Sequence, residues 1–124
     1  MTPRISFYTE GRWSEYHPFP YLDVIELADG YLVQVELAGV DPAAVSVRVV
    51  GDALVIEGSR TPGYPPGALK VLRMELVYGR FHRELLMPFD ADPARITAQW
   101  TKGMLSVTVP RQTESFNIDI EVED

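Results

Sequence analysis

The chain has 124 residues, with 18 acidic and 11 basic side chains, and its formal net charge is −7. One domain is expected at this length, and a composition of 46% hydrophobic and 23% charged residues is that of an ordinary globular protein. The acidic balance argues against nucleic acid as the partner, because phosphate binding needs clustered Lys and Arg side chains. The absence of cysteine excludes disulfides, thiolate chemistry and cysteine-based metal sites.

No apolar run approaches the roughly 18 to 20 residues that a membrane helix needs. The first residues, MTPRISFYTEGRW, show no apolar segment of the kind that directs secretion. We therefore expect a cytoplasmic protein with no membrane span.

Hydrophobic and polar residues alternate along most of the chain. Val45, Val47 and Val49, for example, alternate with Ser46 and Arg48, and a period of two indicates β-strands. Turn pairs such as Asp-Gly and Gly-Asp separate these runs and suit tight hairpins. The predicted strands cover residues 21–27, 31–37, 44–50, 53–58, 69–77, 80–87, 96–101 and 104–109. Many short strands at this spacing predict an all-β fold, an immunoglobulin-like antiparallel β-sandwich.

Three segments interrupt or flank this pattern. Residues 1–19 are rich in aromatic side chains and are expected to form a short, flexible N-terminal arm. Residues 61–70, TPGYPPGALK, predict a proline-rich loop within the sandwich domain, which spans residues 20–111. Residues 112–124 form a C-terminal tail, in which Ile118, Ile120 and Val122 alternate with acidic residues.

Five motifs, in this order along the chain, resemble those of small heat shock proteins, which are built on the α-crystallin domain. The departures from the family pattern, Met87, Lys102 and Met104, keep the character of the usual residues. The motifs are LAGV at 37–40, LVIEG at 54–58, the run from RME at 73–75 through YGRFHR at 78–83 to MP at 87–88, AQWTKGML at 98–105, and IDI at 118–120.

The resemblance implies a molecular chaperone that works without ATP and without a cofactor. Such a holdase binds partly unfolded client proteins and prevents their aggregation under stress. The resemblance also implies a dimer as the building block, and larger homo-oligomers in which the tail of one chain docks on the domain of another.

The tail carries the residues expected to anchor that assembly. Ile118 and Ile120 lie two residues apart, so both side chains point the same way in an extended tail. We expect the tail to add to another copy as a strand, with the isoleucines filling pockets; the alternatives are a last strand on its own sheet and a frayed end. The predicted docking groove lies between a strand carrying Val45 and Val47 and a strand carrying Leu105 and Val107.

The resemblance places the family's interface arginine at Arg83, and the predicted dimer interface comprises Arg83, Phe81, Leu69 and Val71. A buried arginine needs a carboxylate partner, which we expect across the dimer boundary; the alternative is a weak surface ion pair. Two dimer modes stay open. Either residues 68–72 exchange into the sheet of the partner, as the resemblance implies, or the strand at residues 80–87 pairs edge to edge with its copy.

Five aromatic residues of the N-terminal arm, Phe7, Tyr8, Trp13, Tyr16 and Phe19, are the candidate client contacts. A flexible arm with such rings covers exposed apolar surface without a specific geometry. The alternative is an arm that packs on its own sandwich and closes a sheet edge.

Enzyme chemistry is not expected. His17 and His82 are the two histidines, and neither belongs to a metal-binding pattern. The sequence holds no nucleophile elbow and no glycine-rich phosphate loop, and its acidic residues match no calcium loop. Two rival interpretations are a p23-like co-chaperone that serves one specific chaperone, and a protein-interaction β-sandwich without holdase activity.

Overall fold

The computed structural model describes residues 4–7, 19–113 and 117–123. These residues form eight β-strands and two short 3₁₀ turns, Pro42–Ala44 and Pro93–Arg95. No helix in this part of the chain is long and apolar enough to cross a membrane. The strands are β1 (Arg4–Ser6), β2 (Leu22–Leu27), β3 (Gly30–Glu36), β4 (Val45–Val50), β5 (Ala53–Arg60), β6 (Gly79–Leu86), β7 (Thr97–Thr101) and β8 (Met104–Pro110).

The strands form two four-stranded sheets, with the orders β1-β6-β5-β4 and β2-β3-β8-β7. Neighbouring strands are antiparallel, except that β1 runs parallel to β6. The two sheets pack face to face around one hydrophobic core. The predicted all-β sandwich is confirmed.

Tight turns connect the hairpins and fix their registers. In the turn between β7 and β8, Lys102 has φ 52° and Gly103 has φ 78°. Positive φ at both central residues belongs to the type I′ turn, whose twist matches that of the flanking strands. This turn sets Thr101 opposite Met104 and the rest of the β7–β8 ladder with it.

Alternate residues of the central strands fill the space between the sheets. Val33 and Val35 of β3, Val107 of β8, and Leu54 and Ile56 of β5 are fully buried. The residues between them on each strand point to the outer face, as the period of two requires. Burying each such side chain stabilises the fold by about 1.5–3 kcal/mol, which makes this core the main source of stability.

Two contacts define how one sheet lies over the other. Phe19, which leads into β2, packs edge to face on Phe81 of β6 with ring centroids 5.6 Å apart. Arg83 of β6 donates a hydrogen bond to the carbonyl oxygen of Pro20. The start of β2 therefore lies beside β6. The sheet orders then place the outer strands β4 and β7 together at the opposite side of the sandwich.

The structure differs from the sequence-based prediction in two elements. The strand predicted at residues 69–77 is absent, and residues 61–78, called here the long loop, connect β5 to β6 without regular strand pairing. An alternating pattern yields a strand only where a neighbour supplies backbone partners. Strand β1 was not predicted, because three residues are too few to show a period.

Candidate interaction surfaces

The long loop exposes a run of large apolar side chains. Leu69 is 98% exposed and Leu72 is 86% exposed, while Val71 is about half exposed. Met74 and Leu76 continue this apolar run toward β6. Apolar exposure concentrated on one segment is typical of a surface that a partner covers.

The four residues predicted for a dimer interface lie in two different places. Leu69 and Val71 are on the exposed long loop, but Phe81 and Arg83 are buried in β6. Arg83 is only 4% exposed, and its Nη1 donates to the carbonyl oxygen of Pro20 in the same chain, at 2.5 Å. The role of Arg83 at a dimer boundary stays a prediction, because the structure holds a single chain. Within the chain, Arg83 joins β6 to the segment that leads into β2.

The two sheet edges relevant to dimer formation differ in how they are covered. The edge of β6 is occupied by β1, whose residues Arg4 and Ser6 lie opposite Glu84 and Leu86. A copy of β6 would have to displace β1 before it paired there. In the described part of the chain, β2 pairs only with β3, so its outer edge is open.

A shallow depression of about 200 Å³ lies beside the start of β2. Two carboxylates, Asp23 and Glu36, belong to its lining, while Lys70 and Arg73 of the long loop carry the opposite charge. In the single chain Arg73 pairs with Glu75 of the same loop, with 3.1 Å between the guanidinium and the carboxylate. The lining residues are Tyr21, Leu22, Asp23, Gln34, Glu36 and Met104.

The tail is exposed along residues 117–123, and Ile118 and Ile120 are each 87% exposed. No strand in the described chain includes them. Val122, two residues further on, is exposed as well. The tail thus presents three apolar side chains at strand spacing, all on one side of an extended segment.

The predicted docking groove needs one correction. Val45 and Val47 lie on β4, an outer strand, and are partly buried against the core. Leu105 and Val107 lie on β8, which sits between β3 and β7, and they are buried in the core. They cannot line a surface groove. At the same side of the sandwich β7 is the outer strand of the other sheet, and Trp100 of β7 and Ile96 just before it are partly buried against the core.

The aromatic residues of the N-terminal arm are described only in part. Phe7 is buried and packs edge to face on Tyr31, with ring centroids 5.7 Å apart. In the single chain, Phe7 therefore packs on its own sandwich, which was the alternative to contact with a client. Phe19 is partly buried against Phe81. The other three candidates, Tyr8, Trp13 and Tyr16, lie outside the described residues.

Residues 23–123 match the model of the Hsp20/alpha crystallin family. The chain belongs to this family. The 17.0 kDa class II heat shock protein of Zea mays is 37% identical over 106 residues, which cover 81% of this chain and 68% of that protein. The 17.7 kDa class II heat shock protein of Arabidopsis thaliana is 33% identical over 91 residues, covering 72% of this chain and 58% of that protein. A small heat-shock protein from Xylella fastidiosa has a crystal structure similar to this one, with a TM-score of 0.72 and 30% identity, covering 85% of this chain and 96% of that chain.

Small heat shock proteins act as ATP-independent chaperones and are not enzymes. The family predicted from the five motifs is therefore confirmed. The Xylella fastidiosa protein is described as having a distinct high order structure. The two plant relatives are longer than this chain, which spans 58% of one and 68% of the other.

Arg111 fixes the point at which the tail of this small heat shock protein leaves the sandwich. Its Nε lies 3.0 Å from Asp90 and its Nη2 lies 2.6 Å from Glu26. Its guanidinium group also stacks over the ring of Tyr31, 4.9 Å from the centroid. The following residue, Gln112, donates its backbone N–H to the carbonyl oxygen of Asp90. Contacts with three other segments therefore hold Arg111 and Gln112 against the sandwich.

A charged ladder crosses the outer face of β4, β5 and β6. His82 lies between two carboxylates, with Nε2 2.9 Å from Glu84 and Nδ1 3.1 Å from Glu57. Hydrogen bonds to Glu84 and then Glu57 raise the pKa of His82. The Arg48 guanidinium, followed by His82, lowers the pKa of Glu57. Within the described ranges, no group of three or more His, Asp or Glu side chains is placed to hold a metal ion.

The sequence analysis missed both Arg111 and this ladder. The residues that contact Arg111 come from the β2–β3 hairpin and from the connection after β6, so no local motif contains them. Glu57 and His82 lie directly opposite each other in the β5–β6 register. Such a pair becomes visible only when the pairing of the two strands is known.

Proposed function

We propose that this chain is a cytoplasmic holdase that binds partly unfolded proteins without ATP and keeps them from aggregating. The observation that carries this proposal is the concentration of exposed large apolar side chains on two segments, the long loop and the tail, beside a body whose core is buried and which exposes a few more, such as Val50 and Phe89. Exposed apolar surface of this kind marks sites of protein–protein interaction. Membership of a family of ATP-independent chaperones supports the same conclusion.

The building block is a dimer formed by exchange of the long loop. Its apolar run would add to the edge of β2 in the partner, which no other strand of the described residues occupies. Lys70 would then approach the carboxylates of Asp23 and Glu36, while Arg73 keeps its ion pair with Glu75. The alternative, edge pairing of β6 with its copy, is disfavoured because β1 already occupies that edge.

Larger assemblies form when the tail of one dimer docks on another. Ile118 and Ile120 would enter the groove between β4 and β7, beside Val45 and Val47, and the tail backbone would pair with the outer edge of β4. Burying two isoleucines contributes roughly 3–6 kcal/mol before the tail is ordered. An association of that size is reversible, as a stress-responsive assembly requires.

Clients bind to apolar surface that heating uncovers. Loosening of the docked tail would free the groove between β4 and β7. The aromatic side chains of the N-terminal arm are the other proposed client contacts, among them Tyr8, Trp13 and Tyr16. The net charge of −7 would keep client complexes in solution.

The test is light scattering of a heat-stressed model client, with and without this protein, in the absence of any nucleotide. The expected result is suppression of scattering at near-stoichiometric ratios of subunit to client. An equal mass of an unrelated monomeric protein controls for crowding. No suppression across several clients and temperatures would contradict the holdase proposal and, combined with a strict monomer, would favour a dedicated co-chaperone.

A further inference from the structure

Arg60 lies at the base of the long loop, where the two ends of that loop meet. It is the last residue of β5, and it lies opposite Gly79, the first residue of β6, in the ladder that joins these strands. The loop between them covers residues 61–78. Any side chain that bridges this last pair therefore controls how the loop leaves the sandwich.

The Arg60 side chain makes contacts with three segments besides its own strand. Its Nε donates a 2.8 Å hydrogen bond to the carbonyl oxygen of Val77, on the returning end of the loop. Its Nη1 donates to the carbonyl oxygen of Ala38, after β3, at 3.2 Å. The guanidinium carbon lies 4.5 Å from the ring centroid of Phe19 and 5.4 Å from that of Tyr78.

The aromatic contacts continue from Arg60 into the loop itself. Tyr78 packs edge to face on Tyr64, with ring centroids 6.3 Å apart. Tyr64 lies near the outgoing end of the loop and Tyr78 is its last residue. The two ends are thus held together by a chain of contacts that begins at Arg60. The apolar run that includes Leu69 and Leu72 lies beyond this point and is exposed.

Arginine is suited to this position by its shape. Its planar guanidinium group donates in fixed directions and stacks on aromatic rings, whereas a lysine ammonium is a strongly hydrated point charge. A single cation–π contact at a partly exposed site and a single hydrogen bond make contributions of similar, modest size. The four contacts together are therefore large enough to bias the direction of an 18-residue loop, counted from residues 61–78.

We propose that Arg60 is a positioning residue for dimer formation, which holds the base of the long loop so that its apolar run projects from the body in the free subunit. This inference rests on the proposed exchange of the long loop between subunits. A loop whose base is already fixed loses less conformational freedom when it pairs with the edge of a partner, and the dimer is tighter for that reason. Arg60 does not itself touch the partner in this scheme.

The stacking on Phe19 gives Arg60 a second consequence. Phe19 leads directly into β2, whose outer edge is the proposed acceptor for the loop of a partner. One side chain thus contacts both the base of the donor loop and the segment that leads into the acceptor strand. Within one subunit, Arg60 therefore holds the base of the long loop close to the segment that leads into β2.

The test compares the full-length chain with Arg60→Met and Arg60→Lys variants. The dimer dissociation constant is measured by analytical ultracentrifugation, and hydrogen exchange is followed in the β5–β6 ladder. We expect Arg60→Met to weaken the dimer by roughly tenfold or more, the size of one or two lost contacts. Arg60→Lys should fall near the Met variant, because it keeps the charge but not the planar fork.

Hydrogen exchange distinguishes positioning from a general loss of stability. In both Arg60 variants the β5–β6 ladder should stay as protected from exchange as in the wild type, because the lost contacts are those of the Arg60 side chain and not of the ladder. The matched control is Arg80→Met, an exposed arginine one residue beyond Gly79, which should leave both readouts unchanged. An Arg60→Met chain that dimerises like the wild type would overturn the inference, and so would a weaker dimer accompanied by loss of protection in the ladder.

A separate variant tests the proposal on which this inference rests. Leu69→Ser combined with Leu72→Ser removes apolar contacts of the long loop but leaves Arg60 and its partners in place. If that double variant dimerises like the wild type, exchange of the long loop is wrong. If it fails to dimerise while Arg60→Met dimerises normally, exchange stands and the role assigned to Arg60 is wrong.

Discussion

At the scale of single residues, the packing around Phe81 depends on a glycine, Gly58, whose lack of a side chain leaves room for the ring. Gly58 of β5 lies opposite Phe81 of β6, and a Cβ placed on Gly58 would come within 2.5 Å of the Phe81 ring and 2.7 Å of the carbonyl oxygen of Ala44. The aromatic ring occupies the space that a side chain at position 58 would need. Phe81 in turn supports Phe19 at the start of β2.

Replacing Gly58 with alanine should therefore destabilise the domain. We expect the free energy of unfolding to fall by about 1–3 kcal/mol, the usual range for overpacking a core. Urea unfolding followed by tryptophan fluorescence measures the change. Gly63→Ala is the matched control, because no atom lies within 4 Å of a Cβ at that loop position; equal stabilities of the two variants would contradict the packing argument.

His82 makes stability depend on pH near neutrality. Its pKa is raised in the folded state by Glu84 and Glu57, so the folded protein binds the proton more tightly than the unfolded chain does. The stabilisation is fully present below the ordinary pKa of histidine and is lost as the pH rises through the raised value. We expect the free energy of unfolding to decline as the pH rises above the ordinary pKa of histidine, about 6.5.

A His82→Gln variant tests this assignment. It removes the titrating group while Arg48 still pairs with Glu57 on the same face. Urea unfolding at several pH values should show a flatter profile across that pH range in the variant than in the wild type. Superimposable profiles would show that His82 does not cause the dependence. The lowered pKa of Glu57 acts at more acidic pH and lies outside this range.

At the scale of elements, strand periodicity identified seven strands near their observed positions. β2 and β3, for instance, were predicted at residues 21–27 and 31–37 and are found at Leu22–Leu27 and Gly30–Glu36. A period of two identifies the buried face of a strand but carries no information about which strands become neighbours. Leu105 and Val107 were assigned to a groove for that reason, although β8 lies inside its sheet.

The long loop and β1 also show that periodicity does not reveal which segments pair. Residues 69–77 alternate like a strand but find no neighbour in the single chain, whereas β1 pairs with β6 despite showing no pattern of its own. In both segments, whether a strand forms depends on a pairing partner that is distant in the sequence. The contacts of Arg60 and Arg111 were hidden for the same reason, since each joins segments far apart in the sequence.

The tail is the element whose removal should change assembly without changing the fold. Ile118→Ser combined with Ile120→Ser should reduce larger oligomers to dimers, because the tail loses its two anchors and with them roughly 3–6 kcal/mol of burial. Size-exclusion chromatography with light scattering measures the mass. Glu123→Gln is the control outside the anchor pair. Retention of the wild-type mass by the double variant, or by a chain ending at Glu114, would contradict tail docking.

At the scale of the whole molecule, the sandwich combines a stable body with segments whose apolar side chains are exposed. The core between the sheets is closed, while the long loop, the tail and the outer edges of β2 and β4 remain accessible in the single chain. In the proposed assembly, the long loop of one copy pairs with the edge of β2 in another, and the tail pairs with the edge of β4. The proposed function requires that these surfaces become available to clients when copies separate.

Locking the tail should therefore reduce chaperone activity. A disulfide introduced between a cysteine at position 119 of one chain and a cysteine on β4 of another would hold the tail in the groove, and the native chain has no cysteine to interfere. We expect weaker protection of a heated client under oxidising conditions and recovery on reduction. Undiminished protection with the crosslink intact would exclude tail release as the activating step.

The most direct measurement of the central claim is the isolation of a complex between this protein and a heated client. Client and chain are heated together without nucleotide, cooled, and separated by size-exclusion chromatography. A holdase predicts that inactive client elutes in a soluble complex with the chain. Client found only in the pellet, with the chain eluting alone at its usual mass, would contradict the account.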